Sequence, residues 1–300
     1  MSSVTTESEI ELMGSVTGGI VDGCFYVFGG SRSSYEHVGT VLAIPLDSPD
    51  RPQRVSTVPS PRGNMTSASL GSKFFLVAGL QAAQRDGKIE NYPTTTVECF
   101  DIATRQWTTC ASLPEQRVKP GLVVVNGRLF VLSGRIDEVD ANTIFAYDPK
   151  RDTWIQISNE LPFASRHGAA CAIDQRIYFS GGHTCRPGSG LFQSAMISFE
   201  PISGEFQQHA PMPEPRAAHA LLTVEGSLFA LGGLDATKAS VSSVFRYDAQ
   251  ADRWDFCRPL NSPRSVFAAS VEGSEIVLAG GWKRVGKESN ASFERYRPFH

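Results

Sequence analysis

The sequence predicts an all-β chain of six repeated four-stranded units, and three observations carry the prediction. A small residue followed by Gly ends an apolar run at six places. An Arg precedes most of these ends at a fixed distance, and paired aromatic residues follow most of them. Two short apolar runs joined by a tight, Gly-bearing turn mark a β-hairpin. The stretch Pro215 to Gly233, PRAAHALLTVEGSLFALGG, shows this most cleanly, with Glu225-Gly226 at the turn.

Along the chain the second Gly of each end falls at Gly30, Gly79, Gly134, Gly182, Gly233 and Gly281, with spacings of 49, 55, 48, 51 and 48. A period near 50 residues is the mark of a repeat architecture. The preceding residue is Gly29, Ala78, Ser133, Gly181, Gly232 or Gly280, always small. Such a pair suits a strand end where the backbone turns sharply or packs closely against a neighbour. Arg62, Arg117, Arg216 and Arg264 stand seventeen residues before their Gly, and Arg166 stands sixteen before; the first repeat has Met13. Repeats therefore begin near 13, 62, 117, 166, 216 and 264. Asp22-Gly23, Asn126-Gly127, Glu225-Gly226 and Glu272-Gly273 supply turns between a first strand, a, and a second, b. A variable loop leads to strand c, marked by Phe100, Tyr147, Phe199, Tyr247 and Tyr296. Seven residues beyond the first four of these, Trp107, Trp154, Phe206 and Trp254 mark strand d.

The double Gly, the spaced Tyr and Trp and the period resemble the kelch repeat, and the resemblance covers essentially all 300 residues. It implies one domain over 1–300, a six-bladed β-propeller of four-stranded antiparallel blades around a central channel. The first repeat departs most, with Ile44 in place of the aromatic; the second lacks the paired Gly and the third reads Ser-Gly. The last repeat stops at His300, before a strand d. Residues 4–12, which contain the alternating Glu9-Ile10-Glu11-Leu12, are expected to complete that blade and close the ring.

Composition narrows the function. A chain of 300 residues with 41% hydrophobic side chains can bury a large core. The net charge of −3 argues against binding nucleic acid through bulk charge. Cys24, Cys99, Cys110, Cys171, Cys185 and Cys257 show no CxxC pair and read as reduced thiols. No apolar run reaches a membrane span, and the first residues lack the features of a secretory signal. A cytoplasmic location is expected.

Antiparallel order places the b–c loops and the d–a connections on one face, together with all five arginines. The b–c loops vary in length while the a–b and c–d turns do not, and variation on a fixed scaffold is where binding usually lives. Those loops hold nine basic against eight acidic side chains, so the five arginines make the face cationic on an acidic chain. A cationic rim suits an acidic or phosphorylated peptide. Expected partner-binding residues are Arg62, Arg117, Arg166, Arg216, Arg264 and His183, with Tyr92, Phe192 and Trp282 as aromatic anchors. Arginines at fixed repeat positions could instead serve their own blades.

His167, His183 and His219 come from two adjacent blades without a carboxylate at ligand spacing, so no metal and no cofactor is expected. No nucleophile elbow or Gly-rich phosphate loop is present, and a non-catalytic role is expected. The resemblance implies a protein-interaction module like the kelch domain of intracellular BTB-kelch adaptors. There it selects substrates for a cullin ubiquitin ligase; BTB, BACK and cullin partners apply only if this chain belongs to a longer one. The same resemblance offers an enzyme alternative, a sialic-acid epimerase using channel arginines.

Overall fold

The structure, a computed structural model, describes residues 12–299 apart from 34, 86, 137, 138, 159 and 185–191. Blade one consists of Thr17–Val21, Cys24–Phe28, Thr40–Pro45 and Gln53–Thr57; blade two of Thr66–Leu70, Lys73–Val77, Val97–Asp101 and Gln106–Thr109. Gly121–Val125, Arg128–Leu132, Ile144–Asp148 and Thr153–Ser158 form blade three. Ala169–Ile173, Arg176–Ser180, Met196–Phe199 and Phe206–His209 form blade four. Blade five is Ala220–Val224, Ser227–Leu231, Val244–Asp248 and Arg253–Cys257, and blade six is Ala268–Glu272, Glu275–Ala279 and Phe293–Tyr296. Every pairing between neighbouring strands is antiparallel and follows chain order, so each blade runs a-b-c-d outward from the channel. Blade six shows three strands among the described residues. The fourth expected there, residues 4–12, lies outside them except for Leu12, which is buried between blades six and one.

Strand b is deeply buried in every blade, because both of its faces pack on neighbouring blades. Leu76, Leu132, Leu231 and Leu278 are fully inside. Each interface between blades has its own apolar cluster. Phe75, Val77 and Cys99 meet Leu129, Val131 and Tyr147 between blades two and three. Between six and one, Val277 and Ala279 meet Phe25, Val27 and Ile44.

Aromatic markers clamp blades three and five to the ones before them. Trp154 Nε1 donates to the Ala111 carbonyl at 2.8 Å, while Asp152 accepts from the Tyr147 hydroxyl at 2.6 Å and the Ala111 N–H at 2.7 Å. Trp254, Tyr247, Asp252 and Ala210 repeat this arrangement two blades on, at 2.9, 2.6 and 2.8 Å.

The Gly pair explains itself at the loop face. The second Gly of one blade donates its N–H to a carbonyl that opens the next: Gly79 to Arg117 (3.1 Å), Gly134 to Ser165 (3.0 Å), Gly182 to Arg216 (2.7 Å) and Gly233 to Arg264 (2.8 Å). Gly281 donates to Met13 at 2.9 Å, which shuts blade six on blade one. The first residue of the pair is left-handed, as at Gly181 (φ 62°), and a Cβ there would lie 2.4 Å from the Arg216 carbonyl. Blade three keeps a Ser in this conformation (Ser133, φ 56°) by employing its side chain. Ser133 Oγ donates to the Ser165 carbonyl at 2.8 Å and accepts from the Ser165 N–H at 2.7 Å.

Closure has further contacts. Trp282 Nε1 donates to Ser15 Oγ at 3.0 Å, the Ile20 N–H donates to Ser270 Oγ at 3.2 Å, and Phe25 and Phe293 meet edge to face at 6.1 Å. Gly181→Ala is expected to destabilise the protein by at least about 1–3 kcal/mol, the cost of one strained backbone position, before any clash is counted. Chemical denaturation measures it.

Candidate binding site on the loop face

Four of the five repeat arginines do not line the rim. Arg62, Arg117, Arg216 and Arg264 are each at most 1% exposed. Their guanidinium groups turn into their own blades and meet the carbonyl of the first residue of the Gly pair or the start of strand c. Arg62 Nε donates to Ala78 O at 2.7 Å, and Nη1 of Arg216 and of Arg264 donates to Gly232 O (2.8 Å) and Gly280 O (3.3 Å).

Each also has a carboxylate: Glu98 for Arg62, Glu115 for Arg117 at 2.7 Å, Glu214 for Arg216 at 2.7 Å and Glu294 for Arg264 at 2.8 Å. Arg216 stacks 4.7 Å from the Phe245 ring centroid. The expectation of a rim built from these four is corrected, because they hold the d–a connection onto strands b and c. For Arg62 and Arg264 the charge is answered by a buried carboxylate inside the blade, and for Arg117 and Arg216 by an exposed one on the d–a connection.

Arg166 differs because it is one residue out of phase. Ser165 occupies the structural position, and its Oγ donates to the Gly181 carbonyl at 2.8 Å, the group that an arginine meets in other blades. Arg166 therefore takes the next place, where Gly63, Val118, Ala217 and Ser265 stand in the neighbouring repeats. It is half-buried, bridges to His183 through the backbone, and donates from Nε to His183 Nδ1 at 3.3 Å. His183 is held below its ordinary pKa, first by burial and then by Arg166, so it accepts this bond as a neutral ring. The one-residue offset was the signal in the sequence that set Arg166 apart.

Around Arg166 a pocket of about 280 Å³ opens on the loop face. Its walls include His183 and Phe192 of blade four, Leu234 and Lys238 of blade five and Val285 of blade six. Phe192 is half-buried and meets the His183 ring edge-on at 5.2 Å. Exposed apolar side chains stand on the same face: Tyr35, Ile89, Val139 and Val285, all in b–c loops. Tyr92 lies apart from the pocket, half-buried in the hairpin Leu80–Arg85 and Lys88–Pro93, opposite Gln81. Trp282 is not an anchor: it is 3% exposed, wedged against Gly14, where a Cβ would fall 1.9 Å from its ring. Sequence reasoning passed over Lys119, which stands at the channel mouth.

The channel wall carries Thr17, Thr66, Ser67, Lys119, His219 and Phe267, and among the described residues no arginine lines it. The epimerase alternative needed arginines there, and burial in the blades removes that premise. Among the described residues no group of three or more His, Cys, Asp or Glu is placed to hold a metal, and no helix is long and apolar enough to cross a membrane. Cys24, Cys99, Cys110, Cys171 and Cys257 are free thiols.

The geometry defines a six-bladed β-propeller whose loop face, among the described residues, carries the cationic and partly apolar pocket around Arg166 and a larger open one of about 650 Å³ beside Glu214 and Asp235 of blade five. A family model described as the KLHDC2/KLHL20/DRC7 Kelch-repeats domain matches residues 4–182 and 113–281, and the chain belongs to the kelch-repeat family. Beta-scruin of Limulus polyphemus is 25% identical over 251 residues, covering 80% of this chain and 27% of that protein. Kelch-like protein 36 of Mus musculus is 23% identical over 76% of this chain and 37% of its own length. Kelch-like protein terF of Aspergillus terreus is 26% identical over 80% of this chain and 56% of its own length. The chain thus spans between about a quarter and just over half of these relatives. A solved structure titled "Structure of YjhT" superposes with a TM-score of 0.80 over 98% of this chain and 97% of its own, at 14% identity, a likeness of fold. Kinship with Kelch-like proteins is consistent with a protein-interaction module.

Arg264→Met strands Glu294 as a buried charge and is expected to cost about 3–5 kcal/mol, whereas Arg166→Met is expected to leave the unfolding midpoint nearly unchanged. Parallel urea titrations compare them.

Proposed function

We propose that this propeller is a recognition module for an acidic or phosphorylated peptide segment, which docks in the loop-face pocket around Arg166. One observation carries the reading: Arg166 alone among the repeat arginines is turned out of its blade, into a pocket that also holds Lys238 and Phe192. A guanidinium fork pairs with carboxylate or phosphate through two parallel hydrogen bonds. Phe192, Leu234 and the apolar tips of the b–c loops give a neighbouring partner surface to bury. His183 holds Arg166 in place through Nε and leaves its terminal nitrogens toward the ligand.

In a longer chain that continues into BTB and BACK domains, this face would select the substrate of a cullin ubiquitin ligase in the cytoplasm. Kelch-like relatives support that reading by name alone, while the chemistry of the pocket bears on peptide binding.

Affinity purification with wild type, Arg166→Ala and the Arg166→Ala/Lys238→Ala pair tests the proposal. Loss of a charge-assisted contact is expected to weaken partner capture by about 10–100-fold while the melting temperature holds. Equal recovery of the same partners by wild type and the double variant would overturn it.

A further inference from the structure

The channel holds a second feature, separate from the rim pocket. Its loop-side half encloses about 190 Å³ between the inner strands of the blades. At its mouth a girdle of left-handed residues runs from blade to blade. The Lys119 N–H donates to Asn64 O at 3.2 Å, His167 to Lys119 O at 3.1 Å, Ala218 to His167 O at 2.8 Å and Val266 to Ala218 O at 3.0 Å.

Lys119 sends its side chain into this space, where Nζ donates to the Met65 carbonyl at 3.2 Å. Among the described residues, no Asp or Glu lines the cavity. Burial pushes Lys119 down to about 8, so it remains charged at neutral pH. Beside it His167 is held to about 3, by burial first and then by the charges of Lys119, Arg166 and His183, and its Nδ1 is buried without a partner. His219 on the same wall is also held to about 3 by burial and Arg216, and is neutral. Thr17 and Ser67 share a hydrogen bond at 2.7 Å, and Thr66 adds a further hydroxyl.

Lys119 is half-buried, and an ammonium that gives up part of its hydration for one carbonyl is only partly compensated. The walls offer hydroxyl donors and one cation, a set that complements an acceptor-only ligand. We propose that the channel mouth is a binding site for a small oxyanion of the phosphate class, held by Lys119 with the hydroxyls of Thr17, Thr66 and Ser67 as neutral donors. The space at the mouth, about 190 Å³ and open to solvent, has room for a tetrahedral oxyanion. The two sites share no lining residue, although His167 of the rim pocket is bonded through its backbone to Lys119 and feels the charges of both Lys119 and Arg166.

The test is a phosphate titration followed by thermal unfolding and by phosphorus NMR, with potassium chloride at matched ionic strength as control. Wild type is expected to gain melting temperature with phosphate and to broaden the phosphorus line. Lys119→Met is expected to weaken phosphate by about 10–100-fold, and Arg166→Ala to keep the full response. An equal response in wild type and Lys119→Met, or none in wild type, overturns the proposal. A response lost in Arg166→Ala but kept in Lys119→Met also overturns it, because the anion then sits in the rim pocket with any acidic peptide. If Lys119→Met does not fold, Thr66→Val/Ser67→Ala serves instead; weaker phosphate binding supports the site and unchanged binding overturns it.

Discussion

The ring depends on one backbone contact repeated between blades: an amide at the end of strand b meets the carbonyl that opens the following blade. At Gly181, Gly232 and Gly280 the contact is short enough that a side chain on the residue before it would strike that carbonyl, whereas Ala78 and Ser133 hold the place in blades two and three, where the bond is 3.1 and 3.0 Å. It also requires that residue to be left-handed, a conformation Gly adopts without strain and most residues resist. The Gly pair is therefore a stitch between modules more than a turn within one. Because the last link runs from Gly281 to Met13, the same chemistry that joins adjacent repeats joins the two ends of the repeat array.

The stitch fixes what the neighbouring arginine can do. Once the d–a connection is tied to the previous blade, its first side chain lies over the ends of strands b and c, where carbonyls and a carboxylate await a cation. Buried Arg–Glu pairs are weak sources of net stability and strong penalties when broken, which suits a device that fixes register. Blade four replaces the pair with Ser165 and moves its arginine one place along the chain. That single step turns a structural group toward the loop face, beside His183 and Phe192.

The repeat count, the strand order and the shared face of the b–c loops were legible in the sequence, because spacing and period follow from backbone geometry. The clamp aromatics were legible too: Tyr147, Tyr247 and Trp254 are in the interfaces where their repeat positions put them. What the sequence could not separate was a cation that serves a blade from one that serves a ligand, since both are an Arg near a Gly pair. The carboxylates that decide it come from different places. Glu115 and Glu214 stand two residues before their arginines, whereas Glu98 and Glu294 lie on strand c, far away in sequence. Trp282 misled for a related reason: it follows the Gly pair into a loop, yet its ring is taken up by the closure against Gly14 and Ser15. Lys119 escaped notice because its repeat position holds a different side chain in every blade, and only the ring places it at the channel mouth.

Native-state hydrogen exchange at the second glycines tests the central claim most directly, since those amides open only when blades separate. The account predicts that Gly79, Gly134, Gly182, Gly233 and Gly281 exchange as slowly as Phe229 in the core of strand b. Exchange of Gly281 at the rate of Gly226, in its exposed hairpin turn, would contradict it.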